Sequence, residues 1–428
     1  MRTPIAPAIA IAIATLGCVD EEEVCATYDG TLCSDLQATV EAQATTIAAL
    51  EQRLAALEGQ DCLTEDDLGG LAQQEDLDDL QGQVDEIAGD YVVNGDVADV
   101  VRLVTVDTNL EAADSAEIEA QLAWLDGRRI GRDATVTLVL TSDAYTFTEP
   151  LRLAHPDGGR LEIRPDVGVS PVLTFPSSDG IVVEDGTDIG YLGDIALVGG
   201  GSGEAVGLLV RDSASVTIGE LEISGFASAG IDIRGNANLA LEEGAEVSIT
   251  GCGYGALVRE SAYADLTGAT SADNLYDGFH ANGGGITAPG AESLRNGFTG
   301  FYANATGVIF ASDATSAGND DEGFKAHNNG YIEALEAHAD TNGSYGYNTQ
   351  YSGALMASGS FADGNLGAAY YSATGASLYA RTTTASDIPS STVAYVTSYN
   401  GYIYAADAQG DGSTATAHND TTDFIYGL

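Results

Sequence analysis

The chain has 428 residues, with 15 Lys plus Arg against 65 Asp plus Glu and a formal charge of -50. That charge excludes nonspecific nucleic-acid binding, which needs a basic surface to displace counterions, and it opposes direct adsorption to anionic lipid. Hydrophobic residues make up 44% and 53 residues are Gly, so a large core is available and wholesale disorder is not expected.

Met1-Arg2-Thr3 is a short n-region, and Pro4 to Gly17 is an apolar run of Ile, Ala and Leu. The run is shorter than the roughly 20 residues that span a bilayer, so it reads as an export signal over residues 1–17. It ends in Thr15-Leu16-Gly17-Cys18 and is followed by the acids Asp20 to Glu23. This resembles a bacterial lipoprotein signal, although Thr15 departs from the usual aliphatic residue. The resemblance implies lipidation of Cys18 and anchoring to the envelope, at the outer membrane or cell surface. Two acyl chains would hold a protein firmly there. Export implies an oxidising compartment. Cys25, Cys33 and Cys62 cluster in an acidic tether and stalk, while Cys252 stands far away. Cys25–Cys33 pairing and bridges between chains both remain open. No CxxC pair occurs, so neither a zinc nor a redox site is expected.

Residues 18–35 read as an acidic tether, and 36–58 as a coiled coil. Cys33, Val40, Ile47 and Leu54 occupy a positions; Leu36, Gln43, Leu50 and Leu57 occupy d positions. This heptad spacing, free of Gly and Pro, predicts a rod of roughly 38 Å and a homo-oligomer, dimer or trimer. Residues 59–100 are acidic, with Leu68, Leu71, Leu77, Leu80, Val84 and Ile87 at irregular helical spacing. They read as a helical linker with a solvated face.

Residues 101–175 read as an entry and capping region. Ser115, Ile118, Leu122 and Leu125 predict a capped amphipathic helix. Thr135 to Leu140 and Tyr145-Thr146-Phe147 predict strands. Together with Ala123 to Ile130 and His155-Pro156-Asp157-Gly158, this stretch resembles the entry segment of β-helical phage tail-fibre and secreted bacterial proteins. The resemblance implies a start cap for a parallel β-helix and no chemistry. His155 reads as a turn residue.

From residue 180 a small residue followed by an apolar one recurs at nearly constant spacing. The anchors are Gly180, Gly207, Gly230, Gly255, Gly278, Gly300, Gly323, Gly346, Ala368 and Ala394. Their period near 23 predicts a solenoid over 176–408, followed by a tail over 409–428. β-Branched, Gly-rich units without regular leucines exclude ankyrin, tetratricopeptide and leucine-rich repeats. The residues after the anchors alternate apolar and polar, so each coil contributes a strand with an apolar inner face. Phe279, Phe301, Phe324 and Tyr347 would stack inside. Asn274, Asn296, Asn319, Asn342 and Asn365 precede successive anchors and predict a ladder of side-chain amides joining coil to coil. Gly307, Gly330, Gly353, Gly375 and Gly401 mark a second turn. The pattern resembles the right-handed parallel β-helix class, the pectin-lyase-like architecture. An all-β rod of about ten coils and roughly 48 Å is predicted, preceded by the coiled-coil stalk.

In that class, carbohydrate-active members work on an exposed strand face. The outward positions here carry Arg211, Arg234 and Arg259, then a polar and aromatic strip of His280, Tyr302, Lys325, His327, Asn348 and Tyr370. Guanidinium forks match carboxylates and sulfates, and aromatic faces match sugar rings. The expected ligand is an extended polysaccharide, with the arginines favouring an acidic one. Salt bridging to Asp212, Asp232 and Glu260 is the competing account of the arginines. Asp320-Asp321-Glu322 is the only dense acidic cluster in the solenoid and reads as a surface turn. The clustered Ca²⁺ ligands of pectate-lyase-like sites and the GHG-type segment of polygalacturonase-like hydrolases are both missing. No cofactor or metal is expected. The leading expectation is an envelope-anchored binding or adhesion module for a polysaccharide or envelope partner. A polysaccharide lyase or hydrolase and a structural fibre are the alternatives.

Overall fold

A computed structural model describes residues 102–387, 393–410, 416–417 and 424–426. The signal, Cys18, the cysteines of the stalk, the coiled coil of 36–58 and the linker of 59–100 lie outside the described residues, as does most of 409–428. Nearly all strands belong to three long parallel sheets of 14, 12 and 12 strands. Each strand is hydrogen-bonded to its equivalent in the coils before and after, as in the register Phe279↔Phe301↔Phe324↔Tyr347↔Tyr370↔Tyr395. The described residues form a right-handed parallel β-solenoid of about 13 turns, not ten.

The additional turns come from the entry region and from 409–426, where Gln409–Gly410, Thr416–Ala417 and Phe424–Tyr426 add a last strand to each sheet. Thr108–Ala112 pairs with Val136–Leu140, which pairs with Leu161–Pro165. Leu151–Leu153 pairs with Ile181–Val183 in another sheet. These first coils wind like the rest but carry leucines and isoleucines where later coils carry Gly followed by an aromatic, so no anchor periodicity announces them. A helix, α1 (Ser115–Leu125), packs on the strand Thr108–Ala112. Its N-cap is Asp114 rather than Ser115, the Asp114 side chain accepting from the Glu117 N–H at 2.9 Å. Ile118 and Leu125 are buried, so α1 covers core that would otherwise be exposed at the first coil. His155 is buried nearby, its Nδ1 accepting from the Asp157 N–H at 3.0 Å. Among the described residues no helix is long and apolar enough to cross a membrane.

The interior changes character along the axis. Early coils are filled by Leu138, Leu173, Ile181, Leu208 and Ile231; later ones by a single aromatic column. Phe279, Phe301, Phe324, Tyr347, Tyr370 and Tyr395 stack at centroid spacings of 4.9–5.0 Å and interplanar angles of 3–11°. The spacing is that of neighbouring strands, so each ring lies over the last without tilting. The buried tyrosine hydroxyls find acceptors: Tyr347 donates to the Ala337 carbonyl at 2.7 Å and Tyr370 to the Ser360 carbonyl at 3.1 Å.

Tyr370 is therefore a core residue, fully buried, and not part of an outer face. The anchor of that coil is Ala369, one residue beyond Ala368, and Tyr371 takes the outward place. The same one-residue slip affects the following turn. At Gly307, Gly330, Gly353 and Gly401 a Cβ on the backbone as it stands would strike a carbonyl of the previous coil. Gly375 has open space around it and φ +72°, and Ala376 fills the equivalent place. Two small residues in succession, Ala368-Ala369, left the register ambiguous in sequence; the aromatic stack resolves it.

The five asparagines form a continuous ladder at the turn before the third sheet. Each Nδ2 from Asn274 to Asn342 donates to the Oδ1 of the next asparagine at 2.9–3.0 Å. Each backbone N–H donates to the same oxygen at 2.9–3.1 Å. All five are buried. The side chains supply the partners that a non-strand backbone needs in a dry interior.

Candidate functional site

The outward positions of the third sheet, strands Val206–Val210 through Tyr395–Ser398, form two distinct surfaces. The first is a cleft of about 540 Å³ whose lining includes Arg152, Asp179, Glu204, Asp232, Arg234 and Arg259. Its arginines are already paired. Arg259 binds Asp232 through two hydrogen bonds of 3.1 and 2.7 Å, and Arg234 lies 3.8 Å from the same carboxylate. Arg211 donates to Glu184 at 2.8 Å through Nε, and Arg152 reaches the other Glu184 oxygen at 2.5 Å. Asp232 is 3% exposed, so its charge requires the two guanidiniums in order to be buried at all. Each arginine of the column is therefore held against a carboxylate, Arg211 also lying 3.4 Å from Asp212.

The second surface begins at the strand Phe279–Asn282. His280, Tyr302, Lys325, Asn348 and Tyr371 occupy equivalent outward positions in successive coils. His280 and Asn348 are 8% and 0% exposed, whereas Tyr276, Phe298 and Tyr351 beside them are 38%, 51% and 52% exposed. The result is a shallow groove with a polar floor and aromatic rims. One rim is the chain Tyr254, Tyr276, Phe298, with centroid spacings of 4.9 and 5.9 Å. It continues, past a carboxylate step, as Tyr345 stacked on Tyr371 at 4.5 Å. The other rim carries His327, edge-on to Tyr351 at 4.8 Å and 3.3 Å from Asn304 Oδ1.

The carboxylate step is the turn Asp321-Glu322. Glu322 is 3% exposed. It accepts from Asn348 Nδ2 at 2.6 Å, from Thr299 Oγ1 at 3.1 Å and from Lys325 Nζ at 3.1 Å. Lys325 Nζ also lies 3.7 Å from Asp321 and 5.5 Å from the centre of the Tyr302 ring. Burial alone would raise the Glu322 pKa, but the hydrogen bond from Asp321, the Lys325 charge and the Asn348 amide together hold it below the usual value. Asp321 moves oppositely, pushed up to about 6 by burial and by the hydrogen bond and charge of Glu322. Burial disfavours the Lys325 ammonium, yet Glu322 more than compensates and its pKa is raised. His327 is lowered by burial and by Lys325, which keeps it neutral near pH 7. Asp277 completes the row: its Oδ1 accepts from the Thr299 N–H at 3.0 Å and its Oδ2 lies 3.0 Å from His280 Nδ1. His280 Nε2 and Asn348 Oδ1 are buried without a hydrogen-bond partner.

The structure thus brings His280, Tyr302, Lys325, His327 and Asn348 together, sets Arg211, Arg234 and Arg259 apart as salt-bridge partners, and removes Tyr370 to the core. It adds Asp277, Asp321, Glu322, Tyr254, Tyr276, Phe298, Tyr345 and Tyr371. Most of these stand one or two places before an anchor, a column whose chemistry the alternating strand pattern does not reveal. No group of three or more His, Cys, Asp or Glu among the described residues is arranged to hold a metal ion. No protein-family model, curated protein or solved structure matches the chain.

Proposed function

We propose that the chain is a glycan-binding module that receives an extended polysaccharide in the groove from His280 to Tyr371. One observation carries the reading: aromatic rims flank a polar floor over successive coils of one sheet. Coils stack at about 4.8 Å, so side chains of successive coils are spaced to meet successive sugar rings of a linear chain. Sugar rings have apolar faces and polar edges, which match that arrangement of rings, amide and ammonium. Tyrosine adds contact area at little entropic cost. The three-sheeted coil supports a pectin-lyase-like assignment. The apolar run ending at Cys18 supports export and lipid anchoring to the bacterial envelope, and the heptads of 36–58 support self-association of the stalk. The net charge of -50 argues against a nucleic-acid partner.

Affinity electrophoresis of the full chain in polysaccharide gels tests the reading. Replacing Tyr302 and Phe298 together by Ala should weaken retention by about tenfold or more, since truncating a central aromatic contact costs about 1–2 kcal/mol. Retention unchanged by that pair of substitutions removes the groove from the account.

A second reading, cleavage of the glycan by a lyase or hydrolase, is favoured by the neighbouring carboxyls Asp321 and Glu322, 3.7 and 3.0 Å from Lys325 Nζ. Reducing ends or unsaturated products released from bound polysaccharide would support it, and a blank assay leaves binding alone.

A further inference from the structure

We infer that the groove selects a cationic glycan, a polymer of sugars bearing free protonated amines, rather than an acidic one. The inference rests on the glycan-binding reading and names its ligand class. Three carboxylates, Asp277, Asp321 and Glu322, line the floor and step, against the single ammonium of Lys325. That ammonium is already engaged, 3.0 Å from Glu322 and 3.7 Å from Asp321. The nearest guanidinium column is likewise engaged: Arg259 and Arg234 share Asp232, and Arg211 holds Glu184. His327 is held neutral by burial and by Lys325. The groove therefore presents net negative charge with no free cation to receive a carboxylate or sulfate.

Three features point to an amine in particular. The Asp321 side chain is 38% exposed, so this carboxylate meets solvent at the step between the two aromatic stretches. The exposed rings of Tyr276 and Phe298 stand on one side of it, and ring faces attract cations by their negative quadrupole. Finally, His280 Nε2, on a floor side chain 10% exposed, has no hydrogen-bond partner. A buried polar atom left unpaired is costly, so a ligand that supplies the missing partner gains that energy. An amine or hydroxyl hydrogen is the complement of the His280 Nε2 lone pair, and a carboxylate supplies no such hydrogen.

The test uses three oligosaccharides of equal length on the full chain at pH 7, read by isothermal calorimetry or microscale thermophoresis. They are β-1,4-linked glucosamine, its fully N-acetylated counterpart and α-1,4-linked galacturonate. The first two differ in charge and acetyl groups only. The amine form should bind about tenfold tighter than the acetylated form, and galacturonate should not bind. Asp321→Asn should abolish the preference for the amine while sparing affinity for the acetylated form. Because the whole protein is acidic, a control replaces the remote carboxylates Glu242, Glu243 and Glu246 by Gln; it should leave the preference intact. Equal affinities for the first two, tighter binding of galacturonate, or an equal loss in the remote variant would each overturn the charge selection while leaving glycan binding in place. Failure of all three oligosaccharides, and of polysaccharide gels, would remove the binding reading itself.

Discussion

Asn319→Ala probes the ladder that ties the later coils together. The Asn319 side chain accepts from the backbone N–H and the Nδ2 of Asn296, both at 2.9 Å. It donates to the Ser293 carbonyl, Ser316 Oγ and Asn342 Oδ1 at 3.1, 2.9 and 3.0 Å. Truncation leaves the Asn296 N–H with no acceptor in a site of zero exposure. An orphaned buried donor costs about 1–3 kcal/mol, and each further net bond about 1 kcal/mol. Asn296 Nδ2 retains Ser271 O and Ser293 Oγ, and Asn342 Oδ1 retains the residue-319 N–H, so the loss is not the full sum. The expected destabilisation is about 4 kcal/mol. Asn319→Asp keeps the acceptor, loses the donor and buries a charge, so it should be at least as damaging at neutral pH. Urea unfolding followed by far-UV circular dichroism, compared at constant m-value, measures both. A loss below about 1 kcal/mol for Asn319→Ala would refute the claim that side-chain amides carry the coil-to-coil joint.

Phe301→Ala empties one layer of the aromatic stack and should cost about 4 kcal/mol, whereas Phe310→Ala, on a ring 42% exposed, should cost about 0.5 kcal/mol or less; the same urea titration separates them. Gly300→Ala would drive a methyl into Ser316 Oγ and to 2.7 Å from the Gly323 carbonyl oxygen, with a loss of about 2 kcal/mol and a lowered midpoint as the readout. Asp321 has a folded pKa of about 6, above its unfolded value. Its favourable contribution is therefore complete below pH 4 and lost as pH rises through 6. Asp321→Asn should match the parent at pH 4 and exceed its stability at pH 8, by about 1 kcal/mol once solvent screening of a part-exposed group is allowed for. Identical pH profiles for the two proteins would contradict the carboxyl pairing.

Much of the fold was legible because a solenoid repeats its physics. Each coil needs an inward apolar residue, a small residue at the turn and partners for its buried turn amides. Phe279, Phe301, Phe324 and Tyr347, Gly307, Gly330 and Gly353, and the five asparagines therefore recur in columns that spacing exposes. The first coils escaped because Leu151 meets the same need after Pro150, with no small anchor residue before it. The site was only partly legible. Alternation marks His280, Tyr302 and Lys325 as outward, but it cannot say whether an outward residue reaches water. Asn348 does not: it is fully buried, and its amide donates to Glu322 one coil away.

By itself, then, the amino-acid order determined the parallel coil, its inner aromatic column and its asparagine ladder, since these follow from local periodicity at a constant interval. Only the tertiary structure decided which charges remain available. For Arg211, Arg234 and Arg259 the sequence leaves a ligand column and salt bridging both open until Glu184, Asp212 and Asp232 are found against them. Asp321 and Glu322 read as a surface turn until Lys325 and Asn348 are found against them. Ion pairing and burial depend on distances of a few ångströms between residues some 23–27 positions apart, and the energy of a charge is set by those distances and by what surrounds it.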